Sequence, residues 1–104
     1  MKKLDFDLKI DHEKLLFSKS SGNRFSRTFQ VFYDGKRYHL RFLRFERTDP
    51  LISEKEKGIK PKRYLVGKKE YYFDNLRNID FDKLPFKDLT QQFDVEAAIE
   101  NTRT

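Results

Sequence analysis

The stretch Phe25-Ser-Arg-Thr-Phe-Gln-Val-Phe-Tyr33, then Asp34-Gly35, then Lys36-Arg-Tyr-His-Leu-Arg-Phe-Leu-Arg-Phe45 decides the fold. Both flanks alternate in polarity at period two, the signature of a half-buried strand. Asp-Gly between them is a favoured two-residue hairpin turn, because both central positions require positive φ. In that register Tyr33 faces Lys36, Val31 faces Tyr38, Phe29 faces Leu40 and Arg27 faces Phe42. One face then carries Phe29, Val31, Tyr33, Tyr38, Leu40 and Phe42 and reads as core. The other carries Ser26, Thr28, Gln30, Phe32, Arg37, His39, Arg41 and Leu43, and reads as basic with isolated apolar groups.

Outward from this hairpin the signals are shorter. Leu4-Asp-Phe-Asp-Leu-Lys-Ile10 alternates strictly and predicts a strand. Residues 11–17 predict a short helix capped by Asp11, and 18–23 a loop rich in Ser, Gly and Asn. Residues 46–61 are polar, contain Gly58 and end at Pro61, and read as a mobile loop. Residues 62–66 and 69–73 read as a second hairpin around Gly67-Lys68, with Gly at the first position of a type II′ turn. Beyond a loop at 74–78 and Pro85, the spacing of Phe86, Leu89, Phe93 and Ala97 predicts a helix over about 88–101. Asp88 and Gln91 stand at capping-box offset at its start.

The expected architecture is α+β. An antiparallel sheet of about five strands (4–10, 25–33, 36–45, 62–66 and 69–73) is covered on one face by the C-terminal helix. A chain of 104 residues has room for one core, so residues 1–104 read as one small domain. Leu, Ile, Val and Phe number 30, above the roughly 20% share below which charged chains stay disordered.

Composition excludes several functions. There is no Cys, which removes disulfides, thiolate nucleophiles and zinc-thiolate sites. No apolar run approaches the length of about 18 residues that a membrane helix needs. Acids at Asp5 and Asp7 interrupt the N-terminus before a signal-peptide segment forms, so a cytoplasmic protein is expected. Four Gly cannot build a phosphate cradle, and Gly67-Lys68 is followed by Lys rather than Ser or Thr.

Catalytic constellations are equally sparse. His12 and His39 have no Cys to pair with, and His39 sits between Arg37 and Arg41, poor company for a metal ligand. Asp5/Asp7 and Asp80/Asp82 have a spacing that aligns two carboxylates for magnesium. Asp5 and Asp7, however, are simply the solvent half of an alternating strand. The fragment Asp7-Leu8-Lys9 is too short to specify metal chemistry. A non-enzymatic protein without cofactor or metal is expected.

The charge distribution points to a partner. The formal net charge is +6. Residues 19–49 hold eight bases against three acids and residues 50–73 seven against three. Residues 74–104 reverse the balance, with four bases and seven acids. Such asymmetry within one domain implies a basic face suited to a polyanion.

Nucleic acid, DNA or RNA, is the first reading. Arg37 and Arg41 would contact phosphate, Phe32 would stack on a base, and Gln30 and His39 would add polar contacts. Arg44, Lys62 and Arg63 would extend the strip, together with Arg24, Arg47 and Lys60. The alternative is a protein-interaction module that regulates or inhibits a nucleic-acid enzyme, such as a phage or mobile-element inhibitor of a host nuclease. Arg and aromatic residues also dominate protein-binding hot spots. Neither reading involves a membrane.

Overall fold

A computed structural model describes residues 13–103. Four strands, β1 (Lys14–Gly22), β2 (Phe25–Tyr33), β3 (Tyr38–Thr48) and β4 (Lys62–Phe73), form one antiparallel sheet in the order β1-β2-β3-β4. Three short helices, α1 (Ile52–Glu56), α2 (Lys87–Thr90) and α3 (Val95–Asn101), join two 3-10 turns at Leu76–Asn78 and Phe81–Lys83. Among the described residues the protein is therefore α+β with a four-stranded sheet, against about five strands expected for the whole chain. The strand predicted over residues 4–10, the Asp11 cap, the Asp5/Asp7 pair and His12 lie outside the described residues.

The β2–β3 hairpin keeps its predicted faces but not its predicted turn. Tyr33 pairs with Tyr38, Val31 with Leu40 and Phe29 with Phe42, two residues out of the expected register. The cause is local. The Asp34 carboxylate accepts the backbone N–H of Lys36 at 2.8 Å and of Arg37 at 2.7 Å, closing a four-residue loop. These bonds hold the Asp34 carboxyl below the usual carboxylate range, the Arg37 amide contributing most. An even shift leaves every side chain on its original face.

Three other segments differ from expectation. Residues 14–22 are strand rather than helix and loop, because they pair with β2 from Lys14↔Tyr33 to Gly22↔Ser26. A bulge between Leu15 and Phe17 brings both Leu16 and Phe17 against the core. Gly22 makes the turn possible: its φ is +103°, and a Cβ there would stand 2.2 Å from the Phe25 carbonyl oxygen. Residues 46–61 are partly ordered, since β3 runs on to Thr48 and α1 follows, with Glu54 accepting the Leu51 N–H at 2.8 Å.

The largest difference is β4. Residues 62–73 are one twelve-residue strand, not a second hairpin. Arg44 pairs with Gly67 while Phe45 pairs with Leu65, so Val66 is the extra residue of a bulge. Glycine within an alternating strand marks a bulge as readily as a turn.

The predicted terminal helix is broken in two. Phe86 precedes α2 with a left-handed backbone (φ 60°), and Asp94 starts α3 by accepting the Ala97 N–H at 3.1 Å. Asp88 serves no capping box; its carboxylate holds Arg27 through two bonds, at 2.9 and 2.5 Å. Helices α2 and α3 and the 3-10 turns cover one sheet face. There Phe29, Val31, Leu40 and Phe42 meet Leu76, Leu89, Phe93 and Ala98, all buried. Phe29 stacks on Phe42 at 4.9 Å, and Phe93 meets Phe29 edge-on at 6.0 Å. Offset and edge-on ring geometries such as these are the favoured ones.

Candidate nucleic-acid interface

The predicted site residues divide into two groups. Phe32, Gln30, His39 and Arg41 share the second face of the sheet as expected, but all four are buried, at 3–7% exposure. His39 pairs with Tyr72 across β4 and stacks on its ring at 4.4 Å, with the Phe32 ring 5.6 Å away on β2. The Arg41 guanidinium lies over Phe32 at 4.9 Å, and the Arg37 guanidinium lies over Tyr72 at 4.7 Å. Three rings, Phe32, His39 and Tyr72, thus run between two guanidiniums; the buried Arg41–Phe32 contact is the stronger of the two cation–π pairs, because it is desolvated.

Carboxylates complete this stack. The His39 Nδ1 is 3.2 Å from Glu13 Oε1, and its Nε2 is 2.7 Å from Glu70 Oε2. Arg41 Nε lies 3.5 Å from the same Glu70 oxygen. A carboxylate can only accept, so both His39 contacts are hydrogen bonds when both ring nitrogens carry hydrogen. Burial also pushes the Tyr72 hydroxyl up, with Glu70 and Glu13 adding to the effect. The outer hairpin face therefore offers no stacking ring at Phe32 and no accessible guanidinium at Arg41. The protein's own rings and carboxylates occupy both groups.

The remaining four predicted residues, Arg37, Arg44, Lys62 and Arg63, are exposed. Lys68 and Lys69 join them on β4, and Lys60 precedes it. Register separates their directions. Arg44 and Lys69 belong to the helix-covered face, beside Phe42, whereas Lys68 and Arg63 belong to the opposite one. Arg44 lies over the Phe86 ring at 4.8 Å and Arg63 over Phe45 at 5.4 Å. Among the described residues the only carboxylate within 4 Å of any of these β3–β4 cations is Glu70, 3.7 Å from Lys68. Aromatic surface lies among them, with Tyr64 and Tyr72 each about half exposed.

The acidic C-terminal third does not fold onto these cations. Its Asp88 is bound to Arg27, and Glu96 to Arg77 at 3.0 and 2.7 Å. Each pair holds its acid below the ordinary carboxylate range through the arginine hydrogen bonds. Sequence reasoning missed Lys68, Lys69 and Tyr64 because the expected hairpin placed Lys68 in its turn and divided Tyr64 from Lys69 between two strands. The signal that would have found them is the density of bases from Lys60 to Lys69 once that segment is read as one strand.

Asp80 accepts the Asp82 N–H at 3.1 Å and so shapes a 3-10 turn. Among the described residues no group of three His, Asp or Glu is placed to hold a metal ion, and no helix is long and apolar enough to cross a membrane. No protein-family model matches the chain, and neither curated proteins nor solved structures include a significant match to it.

Proposed function

We propose that this protein is a non-catalytic binding domain that engages nucleic acid through the basic surface of β3 and β4. One observation carries the reading. Arg44, Lys62, Arg63, Lys68 and Lys69 are exposed on two neighbouring strands, and Lys68 alone among them has a carboxylate within 4 Å among the described residues. Cations without a carboxylate partner can displace the counterions of a phosphate backbone, the main source of affinity for nucleic acid. Half-exposed Tyr64 supplies a ring beside them. Relative to the expected hairpin site, the surface moves one strand over, from β2–β3 to β3–β4.

A salt series tests this. Affinity for single- and double-stranded DNA and RNA should fall with a log–log slope of about −0.7 to −0.9 per phosphate neutralised. The triple substitution Lys62→Gln/Arg63→Gln/Lys69→Gln should flatten that slope by about two. Absence of binding at low salt would refute the proposal.

A second reading, a protein-interaction module that regulates or inhibits a nucleic-acid enzyme, has its own support. Leu51 and Ile52 in and beside α1 are 70% and 78% exposed, and Val66 on β4 is 57% exposed. Exposed aliphatic groups next to a basic strand suit a protein partner with an acidic rim. Co-purification of one protein, lost on Ile52→Glu while nucleic-acid affinity stays nil, would favour this reading over the first.

A further inference from the structure

A cleft on the helix-covered side opens where the β4 bulge meets the Pro85–Phe86 corner. It has a volume of about 280 Å³, and its lining includes Phe42, Arg44, Lys68, Lys69, Pro85 and Phe86 around Gly67. Its lining contains three cations and no acid. The nearest acid on the following turn, Asp88, is occupied by Arg27. Gly67 keeps the cleft open. Any side chain there would extend along Arg44, whose carbons begin 3.5 Å from a Cβ built at that position.

The apolar wall is held in an unusual conformation. Phe86 is the one non-glycine residue at positive φ among the described residues. A bulky residue rarely adopts that backbone, and strain of this kind gathers at functional sites. Its ring meets Phe42 edge-on at 5.5 Å, and the Arg27 and Arg44 guanidiniums lie 5.2 and 4.8 Å from its centre. The wall is thereby fixed by contacts on several sides.

We propose that this cleft seats one unpaired nucleotide of a single strand, its base packed against half-buried Pro85 above the buried Phe42 and Phe86 rings and its flanking phosphates on Arg44 and Lys69. The inference rests on the nucleic-acid reading and adds a preference for single strands to it. A base can enter the cleft only when it is unpaired, whereas phosphate contacts along β4 are open to any backbone. Packing of a base against apolar surface carries little regard to sequence.

The test compares a fluorescein-labelled single strand of about fifteen nucleotides with its duplex by anisotropy. The single strand should bind about tenfold more tightly, and Gly67→Leu should abolish that margin while leaving duplex affinity unchanged. Gly67 is not at positive φ, so the substitution fills space without backbone strain. A thermal melt confirms the fold, and Lys69→Gln, which leaves the cleft open, should lower single-strand affinity severalfold. Equal affinity for strand and duplex, or a margin that survives Gly67→Leu, would overturn the cleft while leaving the basic surface intact. Failure of both probes to bind would remove the broader reading as well.

Discussion

Strands β3 and β4 lie side by side and draw on the same residue types, yet their fates are opposite. From Tyr38 to Leu43 every residue of β3 is buried, His39 and Arg41 included, while no residue of β4 falls in the buried class even at Tyr64, Leu65 and Val66. Place in the sheet, not hydropathy, separates them. A central strand has neighbours on both sides whose rings and carboxylates enclose its polar groups. Among the described residues β4 pairs on one side only. Arg41 in the middle of β3 therefore belongs to the interior, and Leu65 and Val66 in β4 belong to the surface.

The contrast can be broken most directly at the core. Phe42→Ala should cost about 3–5 kcal/mol, read as a lower urea midpoint at unchanged m-value. Glu70→Ala comes next. It strips the acceptor from His39 Nε2 and leaves Arg41 without that carboxylate, for an expected loss of about 2 kcal/mol. Were Glu70→Ala to prove neutral, the enclosed polar stack on β3 would have no structural weight and the contrast between the strands would collapse.

Asp94→Ala removes the α3 cap and should cost about 1 kcal/mol in the same assay. A smaller effect is expected at the Arg27–Asp88 pair and appears only in acid. The folded carboxyl of Asp88 lies below its ordinary value because of Arg27. Its contribution is thus full above the unfolded pKa of about 4 and is lost as pH falls through the folded value. Asp88→Asn should flatten the acid limb of a Tm-against-pH curve and leave the neutral limb parallel. Least of all, Val66→Ser on the exposed strand should stay within about 0.5 kcal/mol of the parent.

What the sequence disclosed follows from the range of the forces involved. The faces of β2 and β3 were legible because alternation is a local property, and the Asp34 loop shifted the register by an even step that preserved them. The split of the terminal helix was less legible, since it depends on Asp94 acting as a cap and on Phe86 adopting a left-handed backbone. Gly67-Lys68 was ambiguous in principle: a glycine in an alternating run serves a turn or a bulge, and the partner strand decides. The candidate site shifted for a longer-range reason. Whether Arg41 and His39 meet solvent depends on Glu13 and Glu70, 28 and 29 positions away from Arg41 in the chain, and no local pattern reports that.

The single additional residue at Val66 has an effect on everything written into β4. Beyond it the odd positions Lys69, Tyr71 and Phe73 look toward the helices, and before it the even positions Lys62 and Tyr64 do. The strand thus runs in two phases, joined by a slip of one. Deleting that residue would restore a single phase by rotating one half of the strand, sending either its aromatic groups or its cations to the wrong side. For this strand, chain length at one point governs chemistry along the whole edge.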